Sequence, residues 1–170
     1  CAVSGVEPQS ETVWNQADRY KVPRIAFINK MDRTGADFNE AVSMMNRHLD
    51  AHAIPFHLPV GSEENFDGVI DVIEQKAILF NGTECTVTDI PATYREKAVE
   101  ARSFLIEKIA DFDDTVMELF LEDKEVTVEV IKKAARQATL KMMVTPVFCG
   151  AAYKNKGIPQ LLDAVVDYLP

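Results

Sequence analysis

The segment Asn29-Lys30-Met31-Asp32 combines residue types that recognise a guanine base, and it follows an apolar run over residues 22–28. Asp32 can accept two parallel hydrogen bonds, from the ring N–H and the exocyclic amine of guanine, whereas adenine offers neither donor. Such bidentate, charge-assisted pairs are strong, and a site built on them rejects the wrong base by roughly 10⁴-fold. Asn29 can anchor the loop and reach the base through its amide. Lys30 can lay its aliphatic stem along the base ring.

A second interpretation of these four residues is a strand that runs into a polar turn, because Asn and Asp both favour turns. A pattern this short, with one free position, also arises by chance in a chain of 170 residues, at roughly a few per cent. The motif alone therefore leaves both interpretations open.

Residues 144–157 supply a second candidate loop, with a short apolar strand, a corner of small residues and a polar stretch before a helix. A guanine pocket needs a backbone N–H directed at the base carbonyl oxygen, and only small side chains allow that approach. Gly150, Ala151 and Ala152 meet this need, with the Ala152 N–H as the expected donor. A tight turn without a ligand is the alternative. Open α/β sheets bind ligands where neighbouring parallel strands end, so the two loops together predict a guanine site.

Longer strings, at residues 1–14, 22–36, 89–91, 154–157 and 162–170, resemble elongation factor G, the ribosomal translocase. The extension Arg33-Thr34-Gly35 is more specific than the guanine motif that it follows. The resemblance implies an α/β fold, the C-terminal half of a P-loop GTPase-type parallel sheet with an inserted α+β subdomain. It also implies a set of guanine-binding residues: Asn29, Lys30, Asp32, Ala151, Ala152 and Tyr153.

Two points qualify this transfer. A related ribosomal GTPase, of the release-factor or ribosome-protection type, would have similar guanine loops, although residues 29–36 favour elongation factor G. Members of the family commonly have Ser where this chain has Ala151. A hydroxyl there would brace the Asp32 loop, so we expect somewhat weaker base affinity.

The chain contains no G-x-x-x-x-G-K-[ST] phosphate loop and no Asp-x-Pro-Gly-His segment. We therefore expect a piece of a larger GTPase domain whose first residue, Cys1, lies within a buried strand. GTP or GDP would bind the longer protein, with Mg²⁺ held by segments absent here. We expect no catalytic residue in this chain, and neither nucleotide binding nor hydrolysis by it in isolation.

The net charge of −9 is unevenly distributed. Residues 1–57 and 137–170 contain 9 acidic and 9 basic side chains, whereas residues 58–136 contain 18 acidic and 9 basic ones. We assign the outer segments to the guanine-recognition half of a GTPase domain and residues 58–136 to the inserted subdomain. An acidic excess makes the chain a poor nonspecific ligand for nucleic acid.

Within this middle block, the helix expected near residues 93–112 has segregated faces. Glu96, Glu100, Glu107 and Asp111 fall within roughly 60° of one another. We call these four residues the acidic stripe. The opposite face is an apolar stripe formed by Tyr94, Ala98, Ala101, Leu105, Ile109 and Phe112. A solvated outer face is the simpler explanation. The resemblance implies instead a docking site for the basic patch of the large-subunit stalk protein of the ribosome, which in isolation would leave the chain a stalk-binding module.

The remaining composition excludes several classes of protein. The apolar runs are strand-sized, so we expect no membrane span and no signal peptide. Three widely separated cysteines favour a reducing cytoplasm over a disulfide scaffold or zinc site, and we expect no metal site. His48 and His52 are spaced four apart, but no supporting ligand pattern lies near them.

Strands alternating with helices in the outer segments predict parallel pairing. We expect a helix opened by Pro8 that buries Val13, Trp14 and Ala17, a strand at 22–29 and a helix capped by Asp37. A strand at 144–149 and a helix at 158–168 follow, the latter with Leu161, Leu162, Val165 and Leu169 on one side. In the middle block, short and partly antiparallel strands are expected within 56–88, with a hairpin at Asn81-Gly82, before helices near 93–112, 113–122 and 127–140.

Overall fold

The computed structural model describes all 170 residues, in seven strands and six α-helices. The strands are β1 (Ala26–Ile28), β2 (Ala53–Pro55), β3 (His57–Val60), β4 (Gly68–Asp71), β5 (Lys76–Asn81), β6 (Glu84–Thr88) and β7 (Thr145–Cys149). The helices are α1 (Pro8–Arg19), α2 (Phe38–Leu49), α3 (Arg95–Ala110), α4 (Asp114–Leu121), α5 (Val128–Leu140) and α6 (Ile158–Tyr168).

A parallel sheet of order β1-β7-β2 carries the two candidate loops. The central strand β7 is buried along its whole length, as expected for a parallel strand covered on both faces. Its neighbour β1 pairs in the register Ala26↔Val147 and Ile28↔Cys149, so both strands end at the same edge. The predicted α/β class with a parallel sheet is confirmed. Strand β1 is shorter than the expected span of 22–29, and β2 was not expected.

The second sheet has the order β3-β4-β5-β6 and is antiparallel throughout, whereas the sequence predicted partly antiparallel strands in the middle block. The hairpin between β5 and β6 is confirmed, since Asn81 pairs with Glu84 across a two-residue loop. Gly82 has φ +62° at the first loop position, where a two-residue hairpin of the II′ type requires glycine.

Buried side chains form three clusters, and one of them, with 13 residues, contains both Val69 of β4 and Val147 of β7 and so joins the two sheets. Phe56 and Tyr168, beside the parallel sheet, pack with buried residues of α3 and α5 in a cluster of 18 residues. Their rings meet edge to face, with centroids 5.1 Å apart. The predicted boundary between the middle block and the last outer segment, after residue 136, falls inside α5. The division of the chain into these blocks stays a prediction.

Helix α2 begins as its sequence predicts. The Asp37 carboxylate accepts a hydrogen bond from the Glu40 backbone N–H at 3.0 Å, the forward half of a capping box. The other half is absent, because the Glu40 side chain pairs with Arg47 instead. Phe38, Ala41 and Met45 form the buried face.

Two sequence expectations, the burial of Val13 and a strand at Cys1, are wrong, and the side of α6 that is buried was not predicted. Val13 of α1 is 64% exposed, because that helix lies on the outside and Arg24 covers only Trp14. Helix α6 buries Ala164 and Tyr168, while Leu162 and Val165 face outward. Finally, Cys1 lies outside any strand and directly precedes a turn at residues 2–4. Its neighbour Ala2 donates a backbone hydrogen bond to the Asn29 carbonyl at 2.8 Å, which fixes this turn beside the first candidate loop.

Candidate functional site

The first candidate loop leaves the end of β1 and turns immediately. Lys30 adopts the left-handed conformation, with φ +65°, and the Arg33 N–H donates to the Lys30 carbonyl at 3.1 Å. Met31, between them in the chain, is 1% exposed and donates its N–H to the Gly150 carbonyl of the second loop at 3.0 Å. Met31 is therefore fixed in the interior, and it positions the next residue, Asp32, nearer the surface.

The second loop needs glycine for reasons of space. A Cβ on Gly150 would lie 2.2 Å from the Lys156 carbonyl oxygen and 2.5 Å from the Phe27 ring. Ala151 and Lys156 exchange backbone hydrogen bonds of 2.9 and 3.1 Å, which closes the loop on itself. The small-residue corner predicted from sequence is therefore a place of close backbone approach.

Asn29 joins the two loops. Its Oδ1 accepts hydrogen bonds from its own loop, through the Lys30 N–H at 2.8 Å, and from the Ala152 N–H at 2.9 Å. This bond crosses 123 residues of sequence and fixes the separation of the loops. Donation from the Ala152 N–H to a base stays a prediction, since in this structure that group is held by Asn29.

Asp32 carries the charge of the site. Its side chain is 13% exposed, and Oδ2 lies 3.0 Å from the Lys154 ammonium group. The hydrogen bond from Lys154 holds the pKa of the Asp32 carboxyl below its usual range. An ionised carboxylate offers acceptors only, as the ring N–H and amine of guanine require. Sequence analysis did not assign this role to Lys154, which falls in a string used only for the resemblance.

Two further predicted site residues lie at the open side of the loops. The Lys30 side chain is exposed, and the Tyr153 side chain is fully exposed with no packing partner. Both are free to lie against a flat ring, but contact with a base stays a prediction for each. Ala151, by contrast, is 2% exposed and contributes only its backbone.

A short segment of the middle block, residues 61–66, contacts both loops, and sequence analysis missed it. The Glu63 N–H donates to the Met31 carbonyl, and its carboxylate accepts from the Gly35 N–H, each at 2.8 Å. The Lys156 ammonium group donates to the Phe66 carbonyl at 2.7 Å. No local sequence pattern predicts these contacts, because the residues that they join are 28 to 90 positions apart in the chain.

The acidic stripe lies on the outer face of α3. All four carboxylates are exposed, and none forms an ion pair or a hydrogen bond with another side chain. The opposite face buries Ala98, Leu105 and Ile109, as predicted, whereas Phe112 is 44% exposed. Lys108, whose ammonium group lies 5.5 Å from the Phe104 ring centroid, bounds the stripe on one side.

Elsewhere, the structure contains no group of three or more His, Cys, Asp or Glu side chains arranged to hold a metal ion. No helix has the length and hydropathy needed to span a membrane. The one buried thiol, Cys149, has a pKa raised by its burial and is therefore a poor nucleophile.

Comparison with known proteins agrees with this geometry. A family model described as the elongation factor Tu GTP-binding domain matches residues 1–170. Elongation factor G of Fervidobacterium nodosum is 56% identical over 99% of the chain, and elongation factor G 2 of Desulfotalea psychrophila is 52% identical over 100%. A crystal structure of a protein from Thermus thermophilus superposes with a TM-score of 0.89 at 28% identity, over 99% of the chain.

These matches confirm the resemblance to elongation factor G, and they also limit it. The chain spans 25% of the length of each of the two relatives and 25% of the Thermus chain. What the whole relatives do therefore involves segments that are outside these 170 residues.

Proposed function

Because this chain belongs to the family of elongation factor Tu GTP-binding domains, we propose that it is the guanine-recognition part of a translation elongation GTPase. In the longer protein, the nucleotide is GTP or GDP, and its phosphates and Mg²⁺ are held by other segments. The activity is GTP-dependent movement of transfer and messenger RNA on the ribosome, in the cytoplasm.

The observation that carries this proposal is the junction of two loops by Asn29 around an ionised Asp32. Asp32 accepts from the ring N–H and the exocyclic amine of guanine once Lys154 moves aside or shares it. The Ala152 N–H, which donates to Asn29 Oδ1 in this structure, is shared between Asn29 and the base carbonyl when the base binds, and Lys30 and Tyr153 cover the ring faces.

This chain alone supplies only base contacts. Most of the interaction with a nucleoside triphosphate comes from backbone amides, a lysine and Mg²⁺ around the phosphates. Association itself costs at least several kcal/mol, which base contacts must offset. The isolated 170 residues therefore neither bind GDP at micromolar concentration nor hydrolyse GTP, which calorimetry and a phosphate-release assay measure directly.

Competition among nucleotides tests base recognition in a longer protein that joins these residues to a phosphate-binding segment. Inosine diphosphate lacks the exocyclic amine that Asp32 accepts from, and ADP lacks both donors. A hydrogen bond to a charged group contributes about 1.5–3 kcal/mol, so GDP binds roughly 10-fold or more tighter than IDP. Equal affinities for GDP and IDP would contradict the proposed site.

A related ribosomal GTPase of the release-factor or ribosome-protection type would pass the same competition. The string from Asn29 to Ala36 favours the translocase. The two alternatives separate in a ribosomal assay, where a translocase moves the transfer RNAs by one codon and the other types do not.

A second function, docking to the ribosomal stalk protein, is supported by the exposed and unpaired carboxylates of the acidic stripe. Exposed charges that have no partner within the chain are available to a basic surface. Such charges mainly accelerate encounter and add modestly to affinity, so the complex is weak and short-lived.

A further inference from the structure

The segment 61–66 lies in the acidic middle block, yet it is tied to the candidate guanine loops at three points. Two of these ties belong to Glu63 and one to the Phe66 carbonyl. From this arrangement we propose that Glu63 is a positioning residue for guanine recognition, which holds Asp32 in place without touching the base. This inference rests on the proposed function of the loops.

The two bonds of Glu63 flank Asp32 in the chain. Before it, the Met31 carbonyl accepts the Glu63 N–H, and after it, the Gly35 N–H donates to the Glu63 carboxylate, both at 2.8 Å. Met31 is also held from the opposite side by Gly150. One residue therefore fixes the loop on both sides of the carboxylate that reads the base.

The brace is itself fixed in position. Glu63 adopts φ +56°, a left-handed conformation that costs a residue with a side chain about 1–2 kcal/mol, so surrounding contacts must maintain it. Upstream, the Gly61 N–H donates to the Tyr94 hydroxyl oxygen at 2.9 Å. Downstream, the Phe66 ring is fully buried and its carbonyl accepts from Lys156 of the second loop.

Guanine recognition depends on the placement of Asp32, because two parallel hydrogen bonds tolerate little displacement. A shift of about 1 Å in a positioned group can cost up to roughly 100-fold in a reaction that depends on it. Loss of the Gly35 bond frees one side of the loop while leaving the other bonds intact. We therefore expect partial loss of base discrimination, with little loss of phosphate binding.

The test uses a longer protein that joins these residues to a phosphate-binding segment, and measures the ratio of GDP to IDP affinity. Glu63→Ala removes the acceptor for Gly35 and lowers this ratio about 3- to 10-fold. Glu63→Gln keeps a side-chain oxygen that accepts from the same N–H, and restores most of the ratio. Glu64→Ala is the matched control, since the neighbouring carboxylate is exposed and makes no hydrogen bond.

Hydrogen exchange at the Gly35 amide in the nucleotide-free protein provides the second measurement. Glu63→Ala accelerates it, and Glu63→Gln does so less. An unchanged GDP to IDP ratio in Glu63→Ala, or an unchanged Gly35 exchange rate, overturns the role of Glu63 while the guanine site stands. If the unmodified protein itself fails to prefer GDP over IDP, the proposed function is wrong, and this inference with it.

Discussion

At the scale of single residues, the site depends on groups that are small or short as much as on charged ones. Gly150 allows the β7 loop to approach Phe27 and Lys156, and Asn29 links that loop to its neighbour. A Cβ atom at position 150 would clash with the Lys156 carbonyl oxygen, which belongs to the backbone and cannot rotate away as a side chain can.

Gly150→Ala should therefore destabilise the fold by about 2–3 kcal/mol, the range expected for overpacking a rigid site. Gly82→Ala is the matched comparison. A Cβ there meets nothing within 4 Å, and only the strain of φ +62° remains, about 1 kcal/mol. Urea unfolding of both variants measures the difference, and equal losses would show that the close approach at Gly150 is not rigid.

The residues that the sequence revealed are those whose role is local. Asp37 could be identified as a helix cap from its own segment, and Gly150 as a corner from its small neighbours. Glu63 and Lys154 could not, because their partners depend on how distant segments meet in the folded chain. Asp32 was predicted as a site residue from its motif, but its ion pair with Lys154 required the structure.

At the scale of elements, β3 places an ionisable side chain, His57, in the interior of the fold. The His57 side chain is 8% exposed, and its ring lies 4.9 Å from that of Phe148. Burial lowers the pKa of His57 to about 4 from its ordinary value of 6.5. The imidazole is therefore neutral in the folded chain, with Asp71 at 3.9 Å as its nearest carboxylate.

The sign of the pH effect follows from that shift. Between pH 6.5 and 4 the unfolded chain binds a proton at His57 that the folded chain does not, so stability falls as pH falls. From pH 7 to pH 5, the unfolding free energy should drop by about 2 kcal/mol more in the unmodified chain than in His57→Leu. Burial raises the pKa of Asp71, which acts in the opposite direction but is present in both chains.

Urea unfolding at both pH values checks this prediction, with His48→Leu as a control for an exposed histidine. Parallel pH dependences for the unmodified chain and for His57→Leu would mean that His57 does not titrate differently on folding.

Helix α3 carries the second element-scale prediction, because its charged and buried faces are separate. Glu100→Lys with Glu107→Lys should slow association with the stalk protein and lower ribosome-stimulated GTP turnover in the longer protein. The melting temperature should hardly change, since both side chains are exposed and unpaired. Association should also weaken with salt, because exposed charges are screened over roughly 8–10 Å.

Association rate, turnover and melting temperature of that double variant are measured together. Glu118→Lys with Glu129→Lys, which changes two exposed carboxylates on α4 and α5 by the same charge, is the matched control. Unaltered turnover in a well-folded stripe variant would return the acidic stripe to the simpler explanation of a solvated face.

Periodicity predicted the helices better than it predicted their orientation. The burial of Ala98, Leu105 and Ile109 in α3 follows the apolar spacing, because that helix packs against other elements along its length. Helix α6 is apolar on more than one side, so spacing alone did not decide which side is buried. Its inward side is set by Tyr168, which packs against Phe56.

At the scale of the whole molecule, two sheets of different kinds are joined by a buried cluster that contains Val69 and Val147, and the two candidate loops lie at the edge of the parallel sheet. Composition separated the neutral outer segments from the acidic middle block. The sequence also predicted parallel strands in the outer segments and partly antiparallel strands in the middle block. It did not indicate that residues 61–66 of the middle block brace the loops. Charge and propensity describe segments, whereas this contact depends on the packing of one segment on another.

The central claim is that Asp32 reads the guanine base, and a change of base preference tests it most directly. In a longer protein that includes a phosphate-binding segment, Asp32→Asn presents an amide donor where xanthine, unlike guanine, has an oxygen at C2. Competition between GDP and XDP is measured for the unmodified protein and the variant, with Asp37→Asn as the control outside the pocket. We predict that Asp32→Asn prefers XDP while the other two proteins prefer GDP. An unchanged preference for GDP in Asp32→Asn would contradict the account.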